Sequence, residues 1–120
     1  MPTHLLTLGK DPAITYAFMD QLAAARPGTY TASTAHSPEE FETYAKDEKD
    51  KIDFVLLGAA QTDEQVANAK RIVASVWGKA KESKDDPGEG KWVLRLPPSL
   101  LTKEGKEGGM LRWFLEQVEG

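Results

Sequence analysis

Four short runs with strand character, His4 to Gly9, Thr29 to Thr34, Ile52 to Ala60 and Lys91 to Leu96, alternate with four longer stretches spaced as helices. The helical stretches begin near Asp11, Ser37, Thr62 and Gly109. A parallel neighbour is reached only by a crossover, usually a helix, so this alternation predicts a wound parallel sheet. Right-handed crossovers then predict a small Rossmann-like three-layer α/β domain. Its four strands run in the order 2-1-3-4, with helices on both faces. A chain of 120 residues suits one such domain over 1–120.

Local signals agree with that frame. Asp11-Pro12 offers a cap and a proline at the first helical position, Ser37-Pro38-Glu39-Glu40 adds a glutamate at the third, and Thr62-Asp63-Glu64-Gln65 is a capping box. Phe54-Val55-Leu56-Leu57 reads as a central strand covered on both faces, and Thr29 to Thr34 as an edge. On the first helix Ile14, Ala17, Phe18, Leu22 and Ala25 share one face. Tyr16, Met19 and Ala23 form a second stripe almost opposite, a candidate interface for a homodimer or a protein partner. Lys79 to Gly90 is charged around Asp-Asp-Pro-Gly and is expected to be a mobile loop. Pro97-Pro98 stops the last strand, and a linker leads to a broadly apolar final helix.

Composition narrows the function classes. Fifteen lysines and arginines against nineteen acids give a net charge of −4, with the bases scattered, so neither nucleic acid nor an anionic membrane is an expected partner. The absence of cysteine removes disulfides, thiol nucleophiles and cysteine zinc sites. The first residues lack the features of a secretory signal, and no apolar run reaches the roughly 20 residues of a bilayer span, so a soluble cytoplasmic protein is expected.

In a sheet of this order ligands bind at the carboxyl ends of the strands, where the winding reverses between the first and third. Gly9, Lys10 and Asp11 reach that point from one loop, and Gly58, Ala59, Ala60 and Gln61 from another, with small residues leaving room for a ligand. His36 follows the second strand at the same edge. These eight are the candidate binding residues. A phosphate or dinucleotide is disfavoured there: the first loop has one glycine rather than a glycine-rich pattern, and Asp11, Ser37 and Thr62 already cap the helix starts that would receive it. The fourth helix, uncapped at Gly108-Gly109 with Lys103, Lys106 and Arg95 in reach, is the residual place for one. No cofactor and no metal is expected. His36 and Asp11 are the candidate acid–base groups, and His4 opens the first strand at the opposite edge, away from His36.

Ile52 to Leu57 followed by a small-residue loop, and a last strand ending Arg95-Leu96-Pro97, resemble the third and fifth strands of response-regulator receiver domains. In that family the third strand delivers a phosphoacceptor aspartate, where this chain has Gly58, and the last strand ends in a lysine, where it has Leu96. The acidic pair after the first strand is reduced to Lys10-Asp11, and one strand–helix unit is missing. The resemblance implies a flavodoxin-like topology and a degenerate receiver used as a binding module. Three functions compete: a non-catalytic binding or regulatory module for a protein or small ligand at the switch point, a small isomerase, lyase or hydrolase using His36 and Asp11, and a remnant nucleotide-binding domain.

Overall fold

The computed structural model describes residues 2–81, 83–87 and 90–120. The alternation resolves into β1 (Thr3–Leu8), α1 (Pro12–Ala25), β2 (Tyr30–Ala35), α2 (Pro38–Asp47), β3 (Phe54–Leu57), α3 (Asp63–Trp77), β4 (Val93–Arg95) and α4 (Met110–Glu119). All strand pairs are parallel, in the order β2-β1-β3-β4. This is the expected wound α/β topology, consistent with a Rossmann-like or flavodoxin-like domain.

Strand parity divides the core. Leu5, Phe54, Leu56 and Leu94 point to one face and pack with Phe18 and Leu22 of α1 and Met110 and Phe114 of α4. Leu6, Leu8, Val55 and Leu57 point to the other and meet Phe41 and Ala45 of α2 and Val66 and Val73 of α3. All four residues of β3 are buried, as its apolar run predicts for a strand covered on both sides.

The caps form as their residue types dictate. Asp11 Oδ1 accepts from Ala13 N at 2.9 Å, and Ser37 Oγ from Glu40 N at 3.1 Å. At α3, Thr62 Oγ1 accepts from Gln65 N at 3.1 Å while Gln65 Oε1 accepts from Thr62 N at 2.8 Å.

Three local expectations change. On α1, Ala17 is exposed, whereas Met19 is half-buried against the same cluster as Phe18, so the second stripe does not stand free as a unit. Tyr16 and Ala23 remain exposed. The linker before α4 is structured: a short 3-10 turn at Pro98–Leu100 precedes a wide π-type turn at Gly105–Gly109, where Gly108 has φ +141°. Gln21 of α1 holds this turn by donating to the Lys106 carbonyl at 2.8 Å.

In the charged segment after α3, Ala80 is buried in the core and Lys81 N donates to Lys91 O at 2.9 Å, so its start is tied to the sheet. The expected mobile loop falls partly on Glu82, Gly88 and Glu89, which lie outside the described residues, as does Met1. No described helix is long and apolar enough to cross a membrane.

Candidate functional site

The carboxyl ends of β1 and β3 bring the two predicted loops together, because the chain leaves those neighbouring strands toward opposite faces. Gly58 N donates to Leu8 O at 2.8 Å, closing the strand ends against each other. The eight predicted residues are not gathered into one site. They divide between two cavities on opposite faces of the sheet, and only Lys10 among them lines both.

The cavity on the α1/α4 face is small and apolar, about 40 Å³, and takes Gly9, Lys10, Asp11, Gly58, Ala59 and Ala60 from the prediction. Ile14, Phe18, Leu56, Leu96, Leu101 and Met110 supply its hydrophobic wall. Leu101, 39% exposed, is one of only two large apolar side chains exposed among the described residues. Thr7 also lines this pocket; it is 4% exposed, and its Oγ1 has no hydrogen-bond partner. The glycines do not create the space. A Cβ on Gly9 would collide with the Thr15 hydroxyl, and one on Gly58 would stand 3.3 Å from Leu8 O. Both glycines serve close internal packing, while Ala59 and Ala60 line the pocket beside them.

The cavity on the α2/α3 face is a polar cleft of about 420 Å³ and takes His36 and Gln61. Gln61 is 5% exposed, and its side-chain amide has no hydrogen bond among the described residues. Its main chain is held by Arg95, whose Nη2 donates to Gln61 O at 2.8 Å while Nη1 donates to Asp63 Oδ1 at the same distance. Arg95 is therefore committed to the start of α3, and does not serve the fourth helix as the sequence had suggested. His36 stands edge-on to Tyr16 with ring centres 5.7 Å apart, its Nε2 shielded and unpartnered.

Asp11 and His36, the candidate acid–base pair, line different cavities, and the Asp11 carboxylate is occupied in capping α1. Among the described residues no cluster of three or more histidines and acids is placed to hold a metal.

One polar cluster was missed by the sequence reading. At the opposite edge His4 is 6% exposed, with Nδ1 2.7 Å from Thr31 Oγ1 and Nε2 at 3.0 Å from Ser33 Oγ and 3.1 Å from Glu48 Oε1. The Ser33 hydroxyl donates to Glu48 at 2.6 Å, and this bond, more than the histidine, holds the Glu48 carboxyl below its ordinary range. Serine, histidine and carboxylate meet here without the relay of a hydrolase. Nucleophile and orienting acid would have to engage opposite ring nitrogens, and here both crowd Nε2. The arrangement fits a ring with its proton on Nε2 and Nδ1 accepting from Thr31, a satisfied structural network. The only sequence signal was period-two alternation, which places Thr31 and Ser33 on the same face of one strand, with His4 in register beside Thr31.

No protein-family model and no curated protein matches the chain. The chemistry of the two cavities therefore carries the functional argument, since a wound α/β fold alone hosts many activities.

Proposed function

We propose that the chain is a non-catalytic binding module whose pocket beside β1 and β3 takes a small, mostly apolar molecule bearing one hydrogen-bonding group. The observation that carries this is the Thr7 hydroxyl, buried without a partner in a mostly apolar pocket. An unsatisfied buried hydroxyl costs about 1–3 kcal/mol, a penalty that a ligand's polar group relieves. The exposed Leu101 on the pocket wall and the switch-point position support the same reading. The separation of Asp11 from His36 speaks against an acid–base enzyme built on that pair. A degenerate receiver fits as well: with Gly58 where the phosphoacceptor would stand, such a module binds without accepting a phosphoryl group.

Thermal shift with matched probes tests the proposal, because a ligand of the native state raises the melting temperature. Methanol, which matches a cavity of about 40 Å³, is expected to raise it more than xenon, an apolar probe of similar size, and Thr7→Val, which removes the hydroxyl without opening a void, is expected to fold and to erase that difference. No rise with either probe, or an alcohol advantage that survives Thr7→Val, overturns the reading.

A further inference from the structure

The polar cleft between α2 and α3 lies across the sheet from the apolar pocket and has its own unmet chemistry. Gln61 is nineteen-twentieths buried, yet its amide, with two donors and an acceptor, has no bond among the described residues. His36 lines the same cleft with an unpartnered Nε2. Two neutral hydrogen-bonding groups thus lack partners in one cavity, whose volume of about 420 Å³ suits a small molecule.

Charge narrows the class. Lys10 and Arg71 line the cleft, against Glu64 as its one acid, giving an excess of one positive charge. Lys10 has no ion pair among the described residues, and there Arg71 hydrogen-bonds the Asn68 side-chain oxygen at 3.2 Å without an ion pair. Asp63, the next acid on α3, is engaged by Arg95. A phosphate would bring up to two charges toward Glu64, and the starts of α2 and α3 are already closed by Ser37 and by the Thr62–Gln65 box. A carboxylate brings one charge and matches a guanidinium in two parallel bonds.

We propose that this cleft is a second binding site, across the sheet from the apolar pocket and sharing Lys10 with it, for a small monocarboxylate that also carries an uncharged hydrogen-bonding group such as an amide. The carboxylate is held by Arg71 and Lys10, and the neutral group by Gln61, with His36 forming part of the wall.

Nitrogen-15 NMR titration of the whole chain with succinamate, propionate, lactamide and inorganic phosphate tests this. Succinamate, which carries both groups, is expected to bind tightest and to shift the Gln61 side-chain amide and the backbone at His36 and Thr62. Arg71 is exposed, so Arg71→Gln leaves the fold intact; it is expected to weaken succinamate and propionate about tenfold, the scale of a lost charge-assisted pair. Gln61→Leu, accepted only if its spectrum stays dispersed, is expected to remove the advantage of succinamate over propionate. If that variant fails to fold, the lactamide and propionate titrations on the native chain separate the two halves of the ligand. Absence of saturable shifts with succinamate, tighter binding of phosphate, or unchanged affinity in Arg71→Gln overturns the proposal.

Discussion

Tyr30 opens the edge strand with its hydroxyl donating to Glu119 Oε2 at 2.8 Å, while Arg26 reaches the same carboxylate from the end of α1. Burial, reinforced by the acceptor bond to Glu119, pushes the Tyr30 hydroxyl up to about 12 from its ordinary 10.0. The native state therefore keeps a proton that the unfolded chain releases first. The resulting stability is complete below pH 10 and is lost as pH rises toward 12. Urea midpoints measured across that window are expected to fall for the native chain and to fall less for Tyr30→Phe; equal slopes would show that other groups drive the alkaline loss. Single residues were also where the sequence was least legible. Gln61 could be placed at the functional edge, but its burial without a partner depends on Arg95 holding the loop from another strand. Thr7 was unremarkable in a leucine-rich run, since only the covering of β1 by α1 and α4 makes its hydroxyl an orphan.

Helix starts were readable because a cap is a local transaction between a side chain and an amide two or three residues on. Ser37→Ala removes the bond to Glu40 N and leaves the proline and acidic turn of α2 in place. It is expected to cost about 1 kcal/mol in urea denaturation, within the usual range for a lost cap. A loss near zero would mean that water replaces the hydroxyl at no cost. The turn before α4 was not readable for the opposite reason. Gly105 is required because a Cβ there would strike the Leu100 carbonyl, and Gly108 because its φ is strongly positive. Both demands arise from how the 3-10 turn folds back against the helix entry, and glycines in a charged stretch read equally well as an open linker.

For the whole molecule, alternating pattern fixed the winding, since few arrangements bury four strands and four helices under right-handed crossovers. The wheel of α1 was less informative about what faces solvent. Met19, assigned with Tyr16 and Ala23 to a face for a second copy, is half-buried against the cluster that includes Phe18 and Phe114. Met19→Glu is therefore expected to lower the melting temperature at concentrations where the chain is monomeric. Tyr16→Glu, at a side chain 53% exposed, is expected to leave it nearly unchanged. Thermal melts paired with light scattering read both effects. A Met19→Glu chain as stable as the native one and altered only in its mass would return that residue to an interface.

The two rims of the sheet have unequal consequences for behaviour in concentrated solution. β4 is three residues long, stopped by Pro97 and joined at its start by the strand-like contact of Lys81 with Trp92, so it offers little backbone on which a foreign strand could grow. β2 is twice as long and ends the sheet on the other side, the longer open template in the molecule. Its sequence, Tyr-Thr-Ala-Ser-Thr-Ala, contains no branched aliphatic residue to drive a dry fibrillar seam, and its Thr31 and Ser33 hydroxyls are drawn back toward His4. The buried histidine network thus doubles as protection against edge-to-edge growth, by keeping the longer rim polar and tied to its own sheet.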